Sequence, residues 1–150
     1  MTPQQRAERA AEAMYAKDTA AQEMKMQIEA VGPGRAVLSM EVQPAHLNGH
    51  RICHGGIIFT LADTAFAYAC NSYNTLTVAQ ENQITFLAPG QLGERLTATA
   101  EEQALAGRSG VYDVTVTGGD GRKVALMRGL SRTVKGQHFP EDELTQEDRA

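Results

Sequence analysis

The stretch Gly55 to Asn71, GGIIFTLADTAFAYACN, constrains the fold most. Wound as a helix it is apolar on nearly every side, and a helix hydrophobic all round has to be enclosed by the rest of the chain. The chain has 150 residues. That length favours a single domain able to bury roughly 68–70% of its unfolded surface. The C-terminal half can do the enclosing. Leu76–Ala88, Arg95–Ala106, Ser109–Thr117 and Lys123–Val134 read as strands. They are separated by Pro89-Gly90, by Gly107 to Gly110 and by Gly118-Gly119-Asp120-Gly121. The last is a strong hairpin signal.

Ahead of the helix the pattern is different. Residues 3–17 suit an amphipathic helix, with Thr2 as cap, Pro3 at its first position, and Ala7, Ala10, Ala11, Met14 and Tyr15 on one stripe. Asp18 caps a further short turn through Met24. From Met24 the period becomes two: Met24, Met26 and Ile28 alternate with Lys25, Gln27 and Glu29. A turn at Val31-Gly32-Pro33-Gly34 leads into a partner strand, Arg35 to Val42. Pro44 to His54 is irregular. The expected architecture is α+β: one long central helix wrapped by an antiparallel sheet of five or six strands, with a short N-terminal helix. The last four strands are expected in meander order. Residues 1–138 form the expected single domain, and 139–150 an acidic, flexible tail.

Composition excludes several functions. The net charge is −4 and the pI about 5.5, without the clustered basic surface that nucleic acid requires. Trp is absent and aromatic residues total 5%, too few for base-stacking platforms. No apolar run approaches the length of a membrane span, and MTPQQRAERAAEAM lacks the apolar centre of a signal peptide. With only Cys53 and Cys70, reduced thiols and the cytoplasm are expected.

Asp63 is the one charged residue between His54 and Glu81. Burying an unpaired carboxylate is costly, so either Asp63 lies on a solvated helix edge beside Thr60 and Thr64 or it serves a cleft as base or nucleophile. At His54-Gly55-Gly56, two glycines open the helix. They leave its first N–H groups bare, in the positive field of the helix dipole, where an oxyanion can sit; alternatively they only permit a tight junction. Asn48-Gly49 is a turn signal, and the Asn48 amide is also suited to orient water or a carbonyl.

His46, His50, Cys53 and His54 do not have standard zinc spacing, because adjacent Cys53 and His54 converge poorly on one tetrahedral ion. No metal and no cofactor is expected. Cys70 reads as a packing residue. Arg108, Arg122, Lys123, Arg128 and Lys135 are ordinary solvated bases or contacts for the phosphates of a nucleotide-bearing substrate, with Arg108 in its glycine-flanked turn the foremost candidate.

The stretch LNGHRICHGGIIFTLADTAFAYACNS, Leu47 to Ser72, resembles hotdog-fold acyl-CoA thioesterases, in particular the type of bacterial phenylacetic acid degradation. The combination N-G-x4-H-G-G-x7-D-T-A carries the likeness. It extends through ITFLAPG, LTATAEE, SGVYDV and VALMRG over nearly the whole chain.

The resemblance implies hydrolysis of phenylacetyl-CoA or its ring-hydroxylated derivatives to a free acid and CoA. It implies Asp63 as nucleophile or general base, the Gly55 N–H as oxyanion donor, Asn48 as a positioner of carbonyl or water, and His54 as a supporting residue. It also implies a homodimer or a dimer-of-dimers tetramer. An enoyl-CoA hydratase and a non-catalytic acyl-CoA binding module are the alternatives. The first is disfavoured by Tyr68, which stands where a histidine is expected, and the second by Asp63 itself.

Helix geometry adds one expectation. Gly55 and Asp63 are eight residues apart, roughly 12 Å along a helix. Catalytic groups must come within about 3 Å of one reacting centre. Each site is therefore expected to combine Asn48, His54 and Gly55 of one chain with Asp63 of another.

Overall fold

The structure is a computed structural model and describes residues 1–141. Helix α1, Pro3–Tyr15, begins with a capping box: Thr2 Oγ1 accepts the Gln5 N–H at 3.1 Å and Gln5 Oε1 accepts the Thr2 N–H at 2.9 Å. Its buried face carries Ala7, Ala10 and Ala11. Helix α2, Thr19–Glu23, is capped by Asp18.

The next element, a strand, starts later than its alternation suggests. Met24 closes α2 and Lys25 takes a left-handed turn at φ 54°, so β1 is Gln27–Gly32. Strand β2, Arg35–Glu41, leads through a short 3-10 turn at Pro44–His46 to the central helix α3, Gly55–Cys70. The remaining strands are β3 (Thr77–Phe86), β4 (Arg95–Ala106), β5 (Ser109–Thr117) and β6 (Lys123–Thr133).

The six strands form one antiparallel sheet in the order β1-β2-β4-β5-β6-β3. It encloses α3. Leu61, Ala62, Ala65, Phe66 and Ala69 are fully buried against Leu38, Met40, Ala98 and Val116. The Phe66 ring meets Tyr112 edge-on at 5.5 Å.

The expected meander is corrected at β3, which pairs with β6 at the sheet edge rather than with β4. The Leu87–Glu94 connection is no hairpin. Gly90 O accepts the Cys53 N–H at 2.8 Å and the Gly93 N–H donates to Val42 O at 2.9 Å. The connection is thus bound to Val42, just ahead of Pro44–His54, and to Cys53 near the end of that stretch, and the chain re-enters the sheet beside β2.

Within β3 the register shifts between Ala79 and Glu81, leaving Gln80 as the extra residue of a bulge. The bulge changes the phase of the strand. Beyond it, Asn82 and Ile84 face the helix while Glu81, Gln83 and Thr85 are exposed.

Phe139 to Glu141, which the sequence places in the tail, are docked. Phe139 is buried beneath the Arg9 guanidinium, 4.3 Å from its ring centre. Its carbonyl accepts from the Asn74 amide at 3.0 Å, and Glu141 pairs with Arg6 at 3.0 Å. The rest of the expected tail, 142–150, lies outside the described residues.

Candidate active site

Asp63 sits mid-way along α3 and is partly buried. Its threonine neighbours do not solvate it: Thr60 Oγ1 donates to Gly56 O at 2.8 Å and Thr64 Oγ1 to Thr60 O at 2.6 Å, so both hydroxyls are taken up by the helix backbone. Asp63 has instead a partner that the sequence reading missed. Asn82 Nδ2 donates to Asp63 Oδ1 at 2.7 Å. Burial pushes the Asp63 carboxyl above the ordinary carboxylate range, and the Asn82 donor opposes the shift. One signal for Asn82 lay in the sequence: it continues the even-numbered phase of Ile84 and Phe86.

The start of α3 is more selective than a pair of bare glycines. His54 is the N-cap, and its Nδ1 accepts the Gly56 N–H at 3.1 Å. An accepting Nδ1 carries no proton, so the ring proton is on Nε2. Among the described residues the Gly55 N–H has no partner. The opening therefore holds one bare amide, not two. Phe86 of β3 lies over it: a Cβ at Gly55 would stand 3.2 Å from that ring. A cleft of about 290 Å³, lined by Ala45, His46, Leu47, His54, Gly56 and Ile57, opens beside this helix end.

Asn48 lies in the loop that delivers the chain to His54. Leu47 and Cys53 pair as a bridge, and Asn48 Oδ1 accepts from the His50 N–H at 3.0 Å and the Ile52 N–H at 3.3 Å. The turn role of Asn48 is thus present, and its Nδ2 is not consumed by the loop. Arg51, at φ 61°, completes the tight turn.

The histidines and Cys53 do not converge on an ion. His46 Nδ1 accepts the Gln43 N–H at 3.0 Å, and the Cys53 thiol is packed in the core with its pKa pushed up to about 11 by burial. Among the described residues, no group of three or more His, Cys, Asp or Glu side chains is placed to hold a metal. Cys70 is likewise buried, its thiol pushed up to about 12.

The bases divide. Arg122 is committed to Glu94 at 2.6 and 2.7 Å, to Asp120 at 2.8 Å and to Pro89 O at 2.6 Å. Arg128 is paired with Asp113 at 2.7 Å. Arg108 is exposed, with no side-chain partner among the described residues. It lies in the β4–β5 turn, whose neighbour Gly107 lines a small cavity together with Cys70 at the far end of α3. Within one chain, then, Asn48, His54 and Gly55 gather at the start of the helix, Asp63 at its middle and Arg108 near its end.

This fold has counterparts among known proteins. The Thioesterase superfamily pattern matches residues 50–125. Acyl-coenzyme A thioesterase PaaI of Escherichia coli (strain K12) is 45% identical over 126 residues, covering 84% of this chain and 90% of the relative. The chain belongs to the thioesterase superfamily. The solved E. coli PaaI, from the phenylacetic acid degradation operon, superposes on this thioesterase with a TM-score of 0.89 at 43% identity, covering 91% of this chain and 99% of that one. A hypothetical thioesterase of Streptococcus pneumoniae TIGR4, solved with coenzyme A, matches at TM-score 0.78 and 25% identity, covering 83% of this thioesterase and 98% of the other chain. Both share the enclosed-helix fold. No helix among the described residues is long and apolar enough to cross a membrane.

Proposed function

We propose that this thioesterase hydrolyses phenylacetyl-CoA or its ring-hydroxylated derivatives to the free acid and CoA, with Asp63 as the catalytic carboxylate. The observation that carries the reading is Asp63 itself: a lone carboxylate in an apolar helix, raised by burial and bonded, among the described residues, on one oxygen only. The likeness to E. coli PaaI supports the substrate.

As general base, Asp63 takes a proton from water while the water oxygen adds to the thioester carbon. The Gly55 N–H receives the oxyanion, a contribution on the order of 10²–10³ in rate. Collapse then breaks the C–S bond, and the proton passes to the departing CoA thiolate. As nucleophile, Asp63 adds to the same carbon, expels CoA and leaves an acyl anhydride for water to open. Single turnover in ¹⁸O water separates the two: label enters Asp63 only on the second route.

The site is formed between two chains. Gly55 and Asp63 lie roughly 12 Å apart along α3, so Asn48, His54 and Gly55 of one chain serve Asp63 of another across antiparallel helices. The free edge of β3, where Val78 and Phe86 are about half exposed, suits a second copy, in a homodimer or a dimer-of-dimers tetramer. An antiparallel pair also brings Arg108, near the end of α3, toward the other chain's helix start, where it is available to the CoA phosphates. Both cysteines are free and buried, which suits work in the cytoplasm.

The test is thiol release from phenylacetyl-CoA and a panel of aliphatic and aromatic acyl-CoAs. Release with an aryl preference supports the proposal. A preference for aliphatic acyl groups overturns the substrate, and no release from any of them overturns the activity.

A further inference from the structure

We infer that Asn82 is a positioning residue for Asp63, fixing the carboxylate so that its second oxygen, Oδ2, meets the water or thioester. The inference rests on the reading of Asp63 as the catalytic carboxylate.

The geometry is built for this contact. The β3 bulge at Gln80 turns Asn82 toward the helix, and the strand beyond it carries the amide to 2.7 Å from Asp63 Oδ1. Directly across the ladder stands Gly129 of β6. A Cβ there would come within 2.8 Å of Asn82 Oδ1 and 2.9 Å of the Phe66 ring. Gly129 therefore leaves the space in which the amide and the aromatic ring lie together beneath α3.

The second observation is the unused end of the same amide. Asn82 Oδ1 is buried and has no hydrogen-bond partner among the described residues. An unpaired buried acceptor is costly, and an apolar side chain would avoid it. Fold stability does not account for an asparagine here, whereas a donor aimed at Asp63 does. With Oδ1 of Asp63 occupied, an incoming proton is directed to Oδ2. The bond also favours the ionised form, which opposes the effect of burial.

Among the described residues no charged group shares this role. On α3, Cys70 is kept a neutral thiol by burial, and on β5 the Tyr112 hydroxyl is turned to Glu102 of β4 at 3.1 Å. Glu81 of β3 and Arg128 of β6 are on the exposed face.

The test compares Asn82→Leu, Gly129→Ala and Asp63→Asn in the full-length protein. It measures phenylacetyl-CoA hydrolysis from pH 4 to 9, together with the carboxyl ¹³C titration of Asp63. Asn82→Leu is expected to lower kcat on the order of 10- to 100-fold, as misplacement of a catalytic group does, and to leave KM within about twofold. Its acid limb and the Asp63 titration should both move to higher pH, because a donor to the charged form is gone. Gly129→Ala, which pushes the amide away without changing it, should shift both the same way and so tests the inference should Asn82→Leu fail to fold. A folded Asn82→Leu with an unmoved titration and wild-type kcat overturns the inference. If Asp63→Asn is inactive in that same series, the catalytic reading of Asp63 survives the loss; if Asp63→Asn keeps full turnover, that reading falls and the positioning role with it. The titration is read without substrate, so it decides between shift and no shift whichever acyl-CoA is hydrolysed.

Discussion

The His54 ring accepts the Gly56 N–H at 3.1 Å and thereby caps the helix whose first bare amide belongs to Gly55. One side chain thus does two things. It satisfies the second helical N–H, and it lines the cleft beside the helix start. The two are separable. His54→Ala should lose about 1 kcal/mol of stability, lowering Tm by roughly 2–4 °C in a chain of this size. His54→Asn keeps a capping acceptor and should melt near wild type, yet both variants should lose turnover. Thermal melts paired with thiol release check this. An asparagine variant with full activity would leave His54 as a cap only.

Replacing Asp63 with Asn should preserve the fold and remove most turnover, on the order of 10²–10⁴-fold. The stability side has a definite sign. Burial raises the folded pKa of Asp63 above its ordinary 3.8. Such a group stabilises the fold fully below the unfolded value and loses that contribution as pH rises through the folded value. Above the unfolded value the wild type therefore carries the cost of the raised carboxyl and Asp63→Asn does not. The variant should melt at or above wild type at pH 7, with the difference closing below about pH 4. Circular dichroism melts at both pH values test this alongside the assay.

Acid sensitivity should come from another place, the loop that carries β3 into β4. Arg122 clamps Glu94 with both terminal guanidinium nitrogens and draws its carboxyl from 4.5 down to about 2. A depressed folded pKa contributes stability above the unfolded value, and that contribution is lost as pH falls toward the folded one. Wild-type stability should fall between about pH 4.5 and 2 in part through this pair. Arg122→Gln should be less stable at pH 7 and lose less of its remaining stability across that window. Urea unfolding at pH 7 and pH 3 gives the two slopes, and parallel slopes would show the clamp to be unimportant.

Much of this was legible in the sequence because it was periodic or isolated. The all-apolar run from Gly55 announced an enclosed helix, and the lone Asp63 marked the face on which the proposed catalytic carboxylate lies. The hairpin glycines at 118–121 set the turn between β5 and β6. The features that the sequence did not show depended on partners far along the chain. Nothing local tells β3 to pair with β6 across the sheet; that pairing depends on bonds such as Cys53 N–H to Gly90 O. The bulge at Gln80 is invisible in composition, so Asn82 was not connected to Asp63 although it shares phase with Ile84. Likewise the His54-Gly55-Gly56 run suggested two open amides, because the capping by the His54 ring depends on a side-chain rotamer.

Two-chain construction of the site makes the most discriminating prediction. If Gly55 and its neighbours serve Asp63 of another protomer, every dimer has two sites, each drawing on both chains. An Asp63→Ala homodimer then lacks its carboxylate in both sites, and an Asn48→Ala homodimer lacks its amide in both. In the heterodimer the damage is distributed unevenly. One site receives both substitutions, and the other receives the intact Asn48 of the Asp63→Ala chain and the intact Asp63 of the Asn48→Ala chain. Co-refolded and isolated heterodimers should recover about half of wild-type activity although both parents are nearly dead. The KM of the restored site should equal that of wild type, since its groups are all native. Heterodimers as inactive as their parents would mean that each chain completes its own site, and the roughly 12 Å between Gly55 and Asp63 along α3 would then have to be bridged by some other route.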